Sequence, residues 1–322
     1  MKIALSLFDG MSCGQLALQR AGISVDYYLA SEVDKAAMAV AKKNFPDMEH
    51  IGDVREVDGA SMVSPFILMG GSPCQSFSFA GTRKGMSTEQ GEEITTLERY
   101  LELKSEGFAF SGQSYLFWEF VRILRETNPR YFLLENVCMA KKWERVISDV
   151  LNVEPILIDS RLVSAQMRRR LYWTNIPGVT QPKDRGIKLH TILDGVDAPQ
   201  LNKGAIVGRR LNAFGKREDY NKGIPVMQCL EVRDINRDKS NCLTTVAKDT
   251  VLTPLPVGRY PNVFKTKEPF RYYALSECCR LQTVPENYFQ GVSEHQAKKL
   301  LGNGWTVEVI AHILSHIPQE ER

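Results

Sequence analysis

The chain has 322 residues, a net charge of +3, and 43% hydrophobic and 25% charged content, which supports a sizeable core and excludes a disordered or fibrous chain. No apolar stretch is long enough to span a bilayer, and residues 1–7 are too short for a signal sequence, so a soluble, cytoplasmic protein without membrane contact is expected. Seven scattered cysteines, with no C-x-x-C pair or Cys/His cluster, point to reduced thiols rather than disulfides or a bound metal.

Residues 2–7 form an apolar run, the glycine-containing turn Phe8-Asp9-Gly10-Met11-Ser12-Cys13-Gly14 follows, and Leu16, Leu18 and Ala21 continue in helical rhythm to Gly22. Strand, tight turn and helix make the first unit of a Rossmann-like sheet. The turn lacks G-x-G-x-x-G, so a nicotinamide oxidoreductase ranks last among the functions considered. The next strand, 27–31, ends at Glu32, where this architecture binds ribose hydroxyls. Asp34 reads either as a second carboxylate there or as the cap of a helix over 35–45. Gly52-Asp53-Val54 closes a third unit, with Asp53 placed to accept from an adenine amino group.

The run 66–70 breaks at Gly70-Gly71 and delivers Cys74 into the polar turn Ser72-Pro73-Cys74-Gln75-Ser76. A parallel sheet presents a nucleophile at its carboxyl edge in this way; the alternative is a small buried filler. Residues 76–113, rich in Ser, Gly, Thr and charge with a helical stretch at 92–104, read as a mobile lid or binding loop. A helix over 114–127 stops at Asn128-Pro129, and the strand 131–134 ends abruptly on Glu135. If the two strands are neighbours, Cys74 and Glu135 share a pocket; alone, Glu135 would read as the N-terminal carboxylate of a helix over 140–151. Strands at 155–159 and 171–175 flank Arg168-Arg169-Arg170, where alternation sends Arg168 and Arg170 to one face, suited to phosphate or base-edge contacts.

Residues 177–270 lose helical periodicity and carry short β-like pieces at 205–207, 225–227 and 242–246. Residues 161–240 hold 16 basic against 8 acidic residues, +8 against −5 for the remainder, the footprint of a polyanion-binding face. Helices return at 276–282, 293–301 and 306–316. The expected organisation is an α/β Rossmann-like catalytic domain over 1–176, a small β and irregular domain over 177–270, and C-terminal helices over 271–322 that return to the first.

The ordered set FDGMSCG, ASEVD, GDV, GGSPCQSFS, LLENV, QMRRRLYW and LLGNGW resembles the DNA cytosine-5 methyltransferase family, in wording the de novo-type subgroup, over residues 2–175 and 270–315. The resemblance implies an S-adenosylmethionine-dependent methyltransferase sheet with a target-recognition domain. Phe8, Asp9, Gly10 and Met11 would line the methionine and adenosine, Glu32 the ribose, Asp53 and Val54 the adenine, Leu116 the cofactor wall, and Asn303 and Trp305 would close the site. It also implies transfer of a methyl group to C5 of a flipped-out cytosine in double-stranded DNA through a covalent bond from Cys74 to C6. Glu135 would hold the base, Arg170 would orient base or thiolate, and Arg168 would stand on the same face.

The resemblance admits a restriction endonuclease of the same system as a partner. An RNA cytosine-5 methyltransferase and a catalytically silent DNA-binding paralogue are the alternatives. The pattern departs from relatives at Arg169, usually acidic in bacteria, at Gly304, usually Ser, and in the greater length between Cys74 and Leu116.

Overall fold

The structure is a computed structural model that describes residues 1–77, 85–195, 200–233 and 238–322. It divides into two compact units, residues 1–159, 169–182 and 307–322 in the first, and 160–168 and 183–306 in the second.

The first unit is built on a seven-stranded sheet. Strands β1 (Ile3–Leu7), β2 (Tyr27–Ser31), β3 (Glu49–Gly52), β4 (Ile67–Gly71), β5 (Tyr131–Val137), β6 (Ile156–Asp159) and β7 (Arg169–Thr174) lie in the order β3-β2-β1-β4-β5-β7-β6. All pairings are parallel except those of β7, which runs against both β5 and β6. Every residue of β1 is buried, as expected of a central parallel strand covered on both faces. The chain moves outward from β1 to β3 and then returns to the other side of β1 with β4. That reversal creates a crevice at the carboxyl ends of β1 and β4, where open α/β sheets place their ligands.

Helices α1 (Cys13–Arg20) and α2 (Lys35–Asn44) follow β1 and β2, and Asp34 caps α2 by accepting from the amides of Ala36 and Ala37. Residues 78–84 of the expected lid lie outside the described residues. The rest of it, 85–113, is packed rather than loop-like. Met86, Ile94, Leu97, Tyr100 and Leu103 are buried in the main apolar cluster beside Phe117, Trp118 and Phe120. Helix α3 (Leu97–Ser105) is fixed to α4 (Phe117–Thr127) by a buried carboxylate, Glu119, which accepts from Tyr100 Oη at 2.5 Å and pairs with Lys104 and Arg122. Asn128, in the left-handed region, ends α4. Helix α5 (Lys141–Leu151) supplies Trp143 and Ile147 to the same core.

In the second unit, β8 (Asn202–Arg209), β9 (Met227–Val232), β10 (Val251–Thr253), β11 (Gly258–Tyr260) and β12 (Arg271–Tyr272) form an antiparallel sheet in the order β11-β9-β8-β10-β12. Ile206, Leu230, Val232, Val251 and Val263 make its core, the last from the short helix α6 (Val263–Thr266). The expected strand at 242–246 is irregular, because its backbone groups are bonded by side chains instead of a neighbouring strand: Gln166 Oε1 accepts from Leu243 N at 3.2 Å and Arg168 donates to Leu243 O at 2.9 Å.

Helices α7 (Leu275–Gln282) and α8 (Glu294–Asn303) belong to this unit, and only α9 (Val307–Leu314) returns to the first. A buried polar network explains this departure from the expected boundary at 271. Ser164 and Gln166 both donate to Leu281 O, and Gln282 bonds Leu301 O at 2.6 Å and Thr306 Oγ1 at 2.8 Å. In the first unit α9 is tied to α1 by the Arg20–Glu308 ion pair at 2.8 Å.

Candidate active site

The turn after β1 is held in an unusual backbone course, with Phe8, Gly10 and Ser12 all in the left-handed region. Among the described residues a side chain on Gly10 would meet nothing within 4 Å, so they leave space above this turn. Asp9 does not face that space as an available acceptor. It is buried, takes bonds from the hydroxyls of Tyr28 (2.6 Å) and Ser12, and burial pushes its pKa up. Asp9 therefore anchors the turn, and Met11, 1% exposed, anchors it in the core.

Glu32 is poised differently. One of its oxygens accepts from Gly10 N at 2.8 Å and the other from Val33 N and Asp34 N at 2.7 and 2.8 Å. Three amides fix this half-buried carboxylate at the mouth of the crevice, with lone pairs remaining on both oxygens. Asp53 follows β3, and its carboxylate is gripped by Arg55, whose guanidinium holds it below the usual carboxylate range. Tyr115 lies near Arg55 and, through burial, has its pKa pushed up, and Leu116 beside it is half-buried while Val54 is buried. Arg55 and Tyr115 carry no motif in the sequence, and only the fold shows that they border Asp53.

On the other side of the crevice, glycine at position 70 is required by crowding: a Cβ there would lie 2.9 Å from the Phe120 ring and 3.3 Å from Leu7 O. Gly71 pairs with Glu135 across β4 and β5. Cys74 is three residues beyond Gly71, a span of at most about 11 Å even when fully extended. The path between them is fixed. Asn136 Nδ2 donates to Ser72 Oγ at 3.1 Å, Ser76 N donates to Ser114 Oγ at 3.1 Å, and Phe77 N donates to Cys74 O at 3.0 Å. The Cys74 thiol group is half-buried in this turn.

Glu135 and Arg170 form an ion pair, with Nε of Arg170 2.9 Å from Oε1 and side chains only 12% and 16% exposed. The register explains it. Arg170 lies opposite Val137 on β7, so it is the diagonal neighbour of Glu135 on the same face. Arg170 Nη1 also donates to Arg169 O at 2.9 Å, so the guanidinium is held from two sides.

Arg168 does not share that face. It precedes β7, belongs to the second unit and is 3% exposed. Its guanidinium donates to Leu243 O (2.9 Å), Gly304 O (2.9 Å) and Gly302 O (3.3 Å), stitching the 242–245 loop to the end of α8. Gly302 allows that close approach, since a Cβ would come within 2.4 Å of the Thr244 backbone. Asn303, exposed at the end of α8, and Trp305, buried, are in this unit as well.

Replacing Arg168 by Met should therefore leave several buried carbonyl oxygens without donors. At about 1–3 kcal/mol for each unmade bond, the expected result is a clearly lower urea midpoint, with activity recovered on cooling. A variant of unchanged stability that is inactive at every temperature would return Arg168 to the reacting groups.

Residues 3–153 match the family model described as C-5 cytosine-specific DNA methylase. The type II methyltransferase M1.ScrFI of Lactococcus lactis subsp. cremoris is 28% identical over 95% of this chain and 75% of its own length. The type II methyltransferase M.FnuDI of Fusobacterium nucleatum is 29% identical over 97% of this chain and 92% of its own. A crystal structure of a DNMT2 mutant from Spodoptera frugiperda shares the fold, with a TM-score of 0.62 at 18% identity over 98% of this chain and 99% of that one. The matched segment runs from β1 through α5 and contains both Cys74 and Glu135, and the likeness to type II enzymes continues through the second unit; residues 3–153 form a C-5 cytosine-specific DNA methylase domain, and the chain is a DNA cytosine-5 methyltransferase.

Proposed function

We propose that the chain methylates C5 of an extrahelical cytosine in double-stranded DNA through a covalent bond from Cys74 to C6, using S-adenosylmethionine. The observation that carries this reading is the placement of the Cys74 turn, three residues beyond Gly71, and of the Glu135–Arg170 pair at the carboxyl edge of β4 and β5, together with the turn after β1, whose Gly10 amide donates to Glu32.

The residues around the β1 turn suit the cofactor. Glu32 offers fixed acceptors for ribose hydroxyls, Asp53 with Val54 an acceptor and an apolar wall for adenine, Leu116 a further wall, and Phe8 with Gly10 the floor. Asp9 and Met11 act behind that floor. When bound, S-adenosylmethionine supplies an electrophilic methyl group.

Cytosine C5 is a poor nucleophile until C6 is attacked. The Cys74 thiolate forms the Sγ–C6 bond, and the C5=C6 electron pair shifts into the ring as Glu135 delivers a proton to N3 and holds the exocyclic amine. Arg170 keeps the Glu135 carboxyl in line. With Cys74 bonded to C6, C5 is nucleophilic enough to accept the methyl group that bound S-adenosylmethionine would supply. Loss of the C5 proton to water restores the C5=C6 bond, expels Cys74 as thiolate and returns the N3 proton to Glu135. A stacked base hides C6, so the cytosine must leave the helix first, and the basic stretch of the second unit would hold the phosphates.

The test is a duplex with 5-fluorocytosine at the target position, incubated with S-adenosylmethionine. Fluorine cannot leave as a proton does, so a complex resistant to denaturant, joined at Cys74, is expected. Turnover without any such complex would sink the covalent route.

A further inference from the structure

The turn after β1 is expensive to hold. Phe8 (φ 56°) and Ser12 (φ 61°) sit in the left-handed region without being glycine, on either side of Gly10 (φ 60°). Such conformations persist where their surroundings over-determine them, and they cluster at ligand clamps. A buried acid adds to the cost, since Asp9 is only 8% exposed and burial pushes its pKa up.

The groups that hold the turn come largely from β2. Tyr28 is 4% exposed, and its hydroxyl donates to Asp9 Oδ1 at 2.6 Å. The other oxygen, Oδ2, accepts from the Ser12 hydroxyl. Asp9 N donates to Ser31 O at 3.1 Å, one residue before Glu32, and Asp9 O accepts from Ser12 N at 3.2 Å. The peptide unit joining Asp9 to Gly10 is planar, so its two ends turn together. One end is the Asp9 carbonyl held by Ser12 N; the other is the Gly10 N–H, which donates to Glu32 Oε2 at 2.8 Å. The setting of Asp9 is thereby passed on to the Glu32 carboxylate.

We propose that Tyr28 is a positioning residue for S-adenosylmethionine: its hydroxyl, acting through Asp9 and the Gly10 amide, aims the Glu32 carboxylate at the ribose hydroxyls. The inference rests on the reading of Glu32 as the ribose acceptor and adds to it a buried side chain that works from behind the turn. Phenylalanine would fill the same space in β2, and only the hydroxyl reaches Asp9. Without that donor Asp9 keeps its burial but loses one of the two side-chain bonds that orient it, and the peptide carrying the Gly10 N–H is freed to tilt.

The test measures binding by isothermal titration calorimetry to wild-type protein and to Tyr28→Phe, with S-adenosylmethionine and with an analogue whose ribose lacks both hydroxyls. Loss of one bond to a buried carboxyl group should raise the Kd for S-adenosylmethionine by about tenfold. The analogue should bind the two proteins equally, because it has no hydroxyl for Glu32 to accept from. At saturating S-adenosylmethionine kcat should stay within about twofold of wild type and duplex affinity should be unchanged, so the loss falls on KM for the cofactor. Ser12→Ala removes the other donor to Asp9 and should give the same split between the two ligands, which keeps the test decisive if Tyr28→Phe does not fold.

Tyr28→Phe that melts lower yet binds S-adenosylmethionine as wild type does makes the bond a structural one and overturns the proposal. If wild-type protein still prefers S-adenosylmethionine to the analogue in that case, Glu32 stands as the ribose acceptor and this inference alone fails. An equal loss for both ligands overturns it too, since the turn would then act without Glu32. Wild-type protein that binds the analogue as tightly as S-adenosylmethionine removes the ribose role of Glu32 and this inference with it.

Discussion

Cys74→Ser is expected to lower kcat for methyl transfer by at least about 10³-fold while leaving duplex and S-adenosylmethionine binding within a few-fold of wild type. Serine keeps the size of the side chain and the bonds that shape its turn, from Asn136 to Ser72, from Ser76 to Ser114 and from Phe77 to Cys74 O. None of these uses the sulfur, so the fold should survive. What changes is the nucleophile. A hydroxyl is essentially un-ionised near neutrality, and its hard oxygen adds poorly to the C5=C6 bond, whereas a free thiol already supplies a few per cent of thiolate. Single-turnover transfer of a labelled methyl group, measured beside equilibrium binding of both substrates, separates chemistry from binding. Parallel loss of binding and transfer would mean that Cys74 shapes the crevice and does not react.

The sequence made the carboxyl edge of the large sheet legible because its signals are local. The runs at β1, β4 and β5 are almost wholly apolar, as strands covered on both faces must be, and each stops on the residues that matter: the 8–12 turn, Gly71 before Cys74, and Glu135 before Val137. Asp34 as a helix cap is local in the same sense. Arg168 was not legible. Its partners Leu243 and Gly304 lie 75 and 136 residues further along the chain, and strand alternation carries no information about a residue that falls just before its strand. The apolar pattern of 242–246 likewise predicts a strand, which the side chains of Gln166 and Arg168 pre-empt by bonding its backbone. In 85–113 the polar composition hides how deeply Met86, Ile94, Leu97, Tyr100 and Leu103 are buried, the last four at a regular spacing of three, in the cluster that holds Phe117, Trp118 and Phe120 of α4.

Glu135→Gln is the companion expectation, with kcat falling about 10²–10⁴-fold and cofactor binding preserved. Glutamine keeps the shape of the side chain but has no acidic proton to deliver to N3, and it weakens the ion pair with Arg170. The two effects are separable. If Arg170 acts only by aligning the Glu135 carboxyl, Arg170→Ala costs less than Glu135→Gln, and the double variant is no slower than Glu135→Gln alone. If Arg170 also touches the base or the Cys74 thiolate, the two losses add. The register favours the first outcome, because Nε of Arg170 is already committed to Oε1 at 2.9 Å and Nη1 to the Arg169 carbonyl. Glu135→Gln with wild-type kcat would remove the proton donor from the mechanism, leaving Cys74 to attack a ring whose developing charge is met by Arg170 alone.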